Sequence, residues 1–391
     1  MKIAIIAPTF VPSRRANTIQ VMKMAQALTL FGHTVHLTAP GEPAQPSRGG
    51  KPESPIGTDW PDLKHHYGLT TEFPITWLAA YPRRRGYDYA FRAVRWAKSW
   101  RANLLYTRHP QTAALGSLLG QPTIFEIHDL PHGAAKILLR AFLAGRGNRR
   151  LIAVTHALAK DLSTQYAIRN YLVLSDGVDL ARYANLPDPI EARTLLKNNY
   201  QLPINNYQLT IGYTGHLYPG RGTNLILALA TRLPDFHFLL TGGNPEDVER
   251  LQNKISHQQS IINNLTLTGF IPNADLPRYQ AACDLFLMPY QRHVAASSGG
   301  DIAPYLSPMK LFEYLATGRA ILSSDLPVFR EVLNPENAVL LPPDDVDAWV
   351  DAIRDLHAYP EKRTALGTRA RLDAKKYTWE ARAEKMLEGL G

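Results

Sequence analysis

Two stretches of the 391-residue chain bring glycine, cationic side chains and a helix start together in the order that anion binding needs. In Gly215-His216-Leu217-Tyr218-Pro219-Gly220-Arg221-Gly222, glycines after a strand-like run let backbone N–H groups approach an anion, and a helix N-terminus follows. Arg221 adds a fixed charge with a bidentate fork for phosphate oxygens. The spacing of Gly215 and Gly220 imitates an ATPase P-loop, but Arg221 stands where that loop has Lys, and Gly222 where it has the magnesium-binding Ser or Thr. A phosphate site without a metal is the expectation, against a plain tight turn. In Ser307-Pro308-Met309-Lys310-Leu311-Phe312-Glu313-Tyr314-Leu315-Ala316-Thr317-Gly318, Ser307 reads as the N-cap, Pro308 as the first helical residue and Gly318 as the C-terminal stop. Lys310 and the first-turn amides then suit phosphates. Glu313, among Leu311, Phe312 and Leu315, needs a hydrogen-bonding partner such as two adjacent ribose hydroxyls, or else a surface Lys. A third stretch, Glu126-Ile127-His128-Asp129-Leu130-Pro131-His132, holds a His–Asp pair suited to orienting a substrate. Pro131 breaks the helical spacing that would align His128 and His132 as metal ligands, so no metal is expected.

The elements that must position these groups read as alternating strands and helices, the signature of parallel sheets covered by helices. Strands are predicted near 2–7, 34–39, 103–107, 122–127, 150–154 and 171–174, with helices near 18–31, 86–101, 110–119, 132–144 and 156–167. After a Pro- and Asn-rich stretch at 181–206, strands restart near 208–214, 236–241, 264–268, 284–288, 319–323 and 337–341. The expected fold class is α/β with two facing Rossmann-like domains. Residues 40–72 read as a long excursion without periodicity and 376–390 as a final helix. Each chemical segment follows a strand, including Pro8 to Thr18 after the first and Ser297-Ser298-Gly299-Gly300 after Pro289-Tyr290. Ligands of open α/β sheets bind beyond such strand ends, so a pocket rimmed by both domains is expected.

On these residues the chain resembles glycosyltransferase family 4, of GT-B fold and retaining stereochemistry. The stretch Ser307 to Tyr314 resembles the donor motif that ends in the second glutamate of the family's Glu–seven residues–Glu signature, and Gly212 to Gly222 resembles its phosphate loop. Further likeness lies at Gly32-His33-Thr34-Val35, Glu126-Ile127-His128-Asp129, Asp176-Gly177-Val178-Asp179 and Tyr377-Thr378-Trp379-Glu380. The resemblance implies an acceptor-side domain at 1–185, a nucleotide-sugar-binding domain at 186–375 and a helix at 376–391 returning to the first domain. It implies a donor site of Gly215, His216, Arg221, Pro308, Met309, Lys310, Leu311 and Glu313. Arg221 and Lys310 would hold the diphosphate, Glu313 the ribose, and His128 would lie beside the transferred sugar. Arg14, Arg15, Asn17 and Asp129 would sit on the acceptor side. The co-substrate would be a nucleotide-diphosphate sugar, with no further cofactor. Tyr305 occupies the place of the first signature glutamate, with Asp301 a candidate substitute. His216 stands where many members have Arg, and Ala16-Asn17-Thr18 where paired glycines are usual, with Asn17 expected to tolerate the turn's backbone angles. A non-catalytic sugar-nucleotide-binding protein and a nucleotide-sugar epimerase are the alternatives.

Composition bounds the setting. No apolar run approaches the roughly 18 residues of a membrane span. The lone cysteine, Cys283, excludes an internal disulfide and any Cys-based metal cluster, and a cytoplasmic protein is expected. Residues 1–185 carry 23 basic and 11 acidic side chains, so the whole net charge of +9 resides in the first half. Arg83-Arg84-Arg85, Arg92, Arg95, Lys98 and Arg101, interleaved with Phe91, Trp96 and Trp100, suit either an anionic membrane surface or a solvated basic helix. No RNA-binding motif accompanies them, and nucleic acid is not an expected partner.

Overall fold

A computed structural model describes residues 1–41, 56–200, 208–256, 262–295 and 300–390. It divides into two compact units, Met1–Asp176 with Trp379–Gly391, and Gly177–Thr378.

The first unit runs β1 (Lys2–Ile6), α1 (Ala16–Leu30), β2 (Thr34–Pro40), α2 (Trp60–Tyr67), β3 (Ile75–Leu78), α3 (Tyr87–Ser99), β4 (Leu104–Thr107), α4 (Pro110–Leu118), β5 (Thr123–Ile127), α5 (Ala134–Ala144), β6 (Asn148–Ala153), α6 (His156–Tyr166) and β7 (Leu172–Val173). Its sheet has the order β3-β2-β1-β4-β5-β6-β7, parallel throughout the described residues. Helices on both faces bury β1 completely from Ile3 onward, which is why it reads as a continuous apolar run rather than an alternating one. The strand order reverses between β1 and β4, so the loops after β1, β4 and β5 gather at the carboxyl edge where α/β sheets place ligands.

The second unit contains α7 (Pro189–Tyr200), β8 (Thr210–Thr214), α8 (Thr223–Arg232), β9 (His237–Thr241), α9 (Pro245–Ser256), β10 (Leu265–Leu267), α10 (Leu276–Ala281), β11 (Leu285–Met288), α11 (Met309–Thr317), β12 (Ala320–Ser324), β13 (Val339–Leu341), α12 (Val346–Ala358) and α13 (Pro360–Ala374). Its parallel sheet is ordered β10-β9-β8-β11-β12-β13, with the reversal between β8 and β11. Side-chain alternation along β11 feeds two cores: Phe286 and Met288 pack with α11 residues, Leu285 and Leu287 with α8 and α12 residues.

Two expectations need correction. Residues 177–185 go with the second unit: Val178 pairs with Thr378, its N–H donates to the Tyr377 carbonyl at 2.8 Å, and Tyr183 is buried in that unit's core. The supposed excursion contains α2, capped by the Asp59 carboxylate on the Asp62 N–H and stopped by Gly68 at φ 61°, and it precedes the edge strand β3; residues 42–55 lie outside the described residues. The final helix, α14 (Trp379–Leu387), clusters with the first unit, where Arg150 donates to the Met386 and Glu388 carbonyls at 2.6 Å and so closes the helix's C-terminus.

Candidate functional site

In the second unit, β8 delivers Gly215 to Gly222 and α11 delivers Lys310 and Glu313. The glycines answer a steric demand. Gly220 and Gly222 adopt φ of 84° and 82°, and a Cβ there would come within 2.3 Å of the His293 carbonyl oxygen and 1.9 Å of that of Pro289. The loop after β8 therefore lies directly against the loop after β11, at the strand reversal. A Cβ on Gly215, at φ 120°, would press on the Lys310 ammonium at 2.9 Å.

That ammonium is the site's most informative group. Lys310 is 9% exposed, and its Nζ is buried without a hydrogen-bond partner. It rests 3.8 Å from the centroid of the Tyr213 ring and 5.4 Å from that of Tyr290. The Arg221 guanidinium lies 5.0 Å from the same Tyr290 ring, with Nε also buried and unpartnered. Burial and the neighbouring Arg221 hold the Lys310 pKa well below its ordinary value, against a weaker opposing pull from Glu313. Two basic side chains backed by aromatic faces are an arrangement suited to an anion. His216 stacks on Tyr218 with ring centroids 4.7 Å apart; burial, Arg221 and Lys310 push its pKa down to about 4, so it enters the site as a neutral imidazole.

Helix α11 begins one residue later than expected. Pro308 takes an extended conformation (ψ 128°) and is itself the cap residue, in the place expected of Ser307, and a proline side chain makes no cap hydrogen bond. Gly318 ends it at φ 70° as expected. Tyr314 anchors α11 to β8: its hydroxyl accepts from the Thr214 N–H at 2.7 Å, and its ring stacks on Phe286. Glu313 is half-buried and accepts from Gln280 Nε2 at 3.2 Å; Gln280 in turn accepts from the buried Tyr183 hydroxyl at 2.9 Å. Glu313 is thus aimed by an amide rather than neutralised by a surface Lys. Met309 and Leu311 flank Lys310, Leu311 buried in the core. Asp301 uses one carboxylate oxygen on the Val294 and Ala303 N–H groups and the other on His293 Nδ1 at 2.9 Å, so it braces its own loop. Tyr305 lies in the short turn Ala303–Tyr305. Ser297, Ser298 and Gly299 lie outside the described residues.

In the first unit the decisive group is Glu126, fully buried near the end of β5. Its carboxylate accepts from Gln20 Nε2 at 2.9 Å and from the Tyr106 hydroxyl, pairs with Arg382 Nη2 of α14 at 2.8 Å, and meets His128 Nε2 at 2.5 Å. Burial opposes its charge, but Arg382, the His128 hydrogen bond and Arg108 together hold the carboxyl well below the usual carboxylate range. Burial and Arg108 lower His128 to about 4, only partly offset by Glu126. Asp176, buried nearby, is pushed up to about 6. One ligand-type atom each of Glu126, His128 and Asp176 lies within 4.8 Å of the others, and the cation that touches this cluster is the Arg382 guanidinium. His132 is exposed.

The remaining expected residues are more peripheral. Asp129 accepts from the Leu130 N–H at 2.8 Å. Asn17 is the second residue of α1, without unusual backbone angles, and its side-chain oxygen accepts from the Thr9 hydroxyl; the helix starts early enough that no glycine-like turn is needed. Arg15 precedes α1 as an exposed cap residue, and Arg14 is half-buried beside it. On α3, Arg92 is not free: it pairs with Asp88 and donates to the Ala79 carbonyl. Trp96 and Trp100 stack on each other and meet His36 edge-on, which leaves Phe91, Arg95 and Lys98 on the exposed side of that helix. A cavity of about 550 Å³ in the second unit is lined by Leu217, Gly220, Thr223, Asn224, Arg250 and Lys254, among others, and by neither Arg221, Lys310 nor Glu313.

Sequence comparison agrees with this distribution. The family described as Glycosyltransferase Family 4 matches residues 18–182, and that described as Glycosyl transferases group 1 matches residues 208–358. The chain belongs to glycosyltransferase family 4. Its two parallel-sheet units are those of a GT-B glycosyltransferase. It is 28% identical over 223 residues to a GDP-mannose-dependent alpha-(1-6)-phosphatidylinositol monomannoside mannosyltransferase of Mycolicibacterium smegmatis, spanning 55% of this chain and about half (54%) of that relative. A phosphatidyl-myo-inositol mannosyltransferase of the same organism is 24% identical over 99% of this chain and 92% of its own length. Among solved structures, Anabaena HepE in complex with UDP and glucose superposes with a TM-score of 0.72 at 16% identity, covering 100% of this chain and 99% of that one. Sucrose-phosphate synthase from Thermosynechococcus elongatus superposes at 0.71 and 18%, covering 98% and 97%. At such identities the structural likeness speaks for the fold. No helix among the described residues is long and apolar enough to cross a membrane.

Sequence reasoning overlooked Tyr213, Tyr290, Gln280, Glu126 and Arg382. The first two stood in plain view inside strand-end segments, but nothing in their spacing says that they face a lysine. A Glu ending the apolar strand Thr123–Ile127 was a readable signal for a buried carboxylate. Its partner 256 positions later was not.

Proposed function

We propose that this chain transfers a hexose from a nucleoside-diphosphate sugar to an acceptor hydroxyl, with retention of anomeric configuration and without a metal ion. The observation that carries the reading is Lys310: a buried, unpartnered ammonium beside Arg221 at a glycine-lined strand end. A departing diphosphate needs charge stabilisation, and these cations with the first-turn amides of α11 would supply it without reorganising. Glu313, aimed by Gln280, suits two vicinal ribose hydroxyls. No protein nucleophile is required if the acceptor hydroxyl attacks on the face from which the diphosphate leaves. Neutral His128 would accept a hydrogen bond from a sugar hydroxyl. Relatives named for GDP-mannose and a neighbour solved with UDP support a nucleotide-sugar donor and leave its base and sugar for experiment. Incubation with individual nucleotide sugars tests this: slow release of nucleoside diphosphate without acceptor supports transfer, no release with any donor argues for a binding protein, and a rearranged sugar would mark an epimerase.

The acceptor is read as presented at an anionic surface. The two mannosyltransferase relatives bear phosphatidylinositol names, and the excess positive charge falls in the first half. On α3, Phe91 is 58% exposed, with Arg95 and Lys98 one and two turns along the same side, and Arg83 to Arg85 are exposed just before the helix. Co-sedimentation with phosphatidylglycerol but not phosphatidylcholine vesicles, lost in Phe91→Ser/Arg95→Glu, is the expected result. Equal behaviour of the two lipids refutes it.

A further inference from the structure

The buried carboxylate behind His128 has four partners, and one of them comes from the far end of the chain. Glu126 Oε1 takes Gln20 Nε2 and His128 Nε2; Oε2 takes the Tyr106 hydroxyl and Arg382 Nη2. A carboxylate so surrounded is ionised and purely an acceptor, so the proton of the imidazole sits on Nε2 and the lone pair on Nδ1. Arg382 is itself immobilised. Its Nε donates to the Ser175 carbonyl at 2.8 Å, Nη2 lies 3.3 Å from the Leu174 carbonyl, and Nη1 lies 3.3 Å from Met24 Sδ. Trp379 and Met386 of the same helix are buried, and the guanidinium lies 5.9 Å from the centroid of the Trp379 ring.

We infer that Arg382 is a positioning residue for His128: by neutralising Glu126 it keeps the imidazole an uncharged Nε2–H tautomer whose Nδ1 can accept a hydrogen bond from a substrate hydroxyl. Only the last clause rests on the proposed glycosyl transfer; the tautomer and charge are properties of the protein alone. The logic is one of competing cations. Glu126 needs a positive partner in a buried site, and two candidates touch it, Arg382 and a protonated His128. While Arg382 is present, protonating His128 would place two cations on one carboxylate, with Arg108 adding further repulsion. Asp176 is the other acidic group facing this cluster, and burial favours its neutral form. The direction of the His128 pKa, down to about 4, agrees with the geometry. Without Arg382, the imidazolium becomes the only contacting counter-ion of Glu126 among the described residues, and proton affinity at His128 must rise. The final helix thereby governs the ionisation of a residue 254 positions upstream.

Nitrogen-15 imidazole NMR on the full chain, with His128 assigned by comparison with His128→Gln, tests this without any nucleotide sugar. The wild type is expected to show neutral Nε2–H at pH 6. Arg382→Met is expected to show imidazolium at pH 6, which from a pKa of about 4 requires more than a hundredfold rise in proton affinity, and Arg382→Lys to retain the neutral form. An unchanged titration in folded Arg382→Met overturns the inference. So does an imidazolium or an Nδ1–H tautomer at pH 6 in the wild type, which keeps the test decisive if the Met variant does not fold. The kcat/KM profile separates the two claims: Arg382→Met should lose activity below its new His128 pKa, where the wild type does not. A shifted NMR titration with an unmoved activity profile upholds the positioning and refutes the role of His128 in transfer.

Discussion

Replacing Lys310 by Met separates a functional cation from a structural one. Deleting a structural lysine breaks a bond and destabilises; here Nζ has no hydrogen-bond partner to lose. What is lost is the contact with the Tyr213 ring, on the order of 0.5–2 kcal/mol. What is relieved is the burial of an ammonium, which costs several kcal/mol, together with repulsion from Arg221. The folded state should therefore be as stable or more stable, with a Tm unchanged or raised by roughly 2–4 °C per kcal/mol gained. Turnover should move the other way. A charge-assisted hydrogen bond to a phosphate oxygen is worth about 1.5–3 kcal/mol. A unit charge about 4 Å away in a surface-like dielectric contributes about 4 kcal/mol. A loss of about 2–4 kcal/mol from the transition state lowers kcat/KM roughly 30- to 1,000-fold. The assay is paired: thermal melting of the apo protein, and donor turnover at subsaturating substrate. A Tm lowered by many degrees with activity retained would refute the reasoning, because it would make Lys310 a packing residue.

Other consequences follow from the same contacts. Glu313→Gln should weaken binding of a ribonucleoside diphosphate about tenfold in calorimetry and leave a 2′,3′-dideoxy analogue unaffected, whereas equal losses would remove Glu313 from the ribose. Gly222→Ala forces a Cβ to within 1.9 Å of a carbonyl oxygen at φ 82° and should cost at least about 2 kcal/mol in urea unfolding; a neutral effect would mean the loop has another packing. His109 and His237 are buried and lowered to about 4, so the unfolded chain binds protons that the native chain does not between pH 6.5 and 4. Stability should be full above pH 6.5 and fall through that window by up to about 3 kcal/mol per histidine, a slope reduced in His237→Asn; an unchanged slope in that variant would mean that the His237 imidazole is protonated in the native state.

The doubly wound architecture was legible because fully buried parallel strands such as Ile3–Ile6 of β1 and Leu285–Met288 print as apolar runs, with helices between them. The turns around the candidate site were legible because Gly220, Gly222 and Gly318 mark backbone conformations that few other residues adopt. What escaped was of two kinds. Helix α2 and strand β3 span eight and four residues, too short for a periodic stripe, although Asp59 and Gly68 carried the cap chemistry. Partnerships such as Lys310 with Tyr213, Glu313 with Gln280 and Glu126 with Arg382 depend on tertiary proximity, which residue type and spacing do not encode. Ser307 illustrates a local rule overridden: a favourable cap residue is bypassed because the following proline stays extended.

Soaking the crystallised protein with a nucleoside diphosphate tests the central claim most directly. The diphosphate oxygens should fall within hydrogen-bond distance of Lys310 Nζ and the Arg221 guanidinium, with the ribose hydroxyls on Glu313. Density for the nucleotide in the cavity beside Arg250 and Lys254, with Lys310 still unpartnered, would contradict the account.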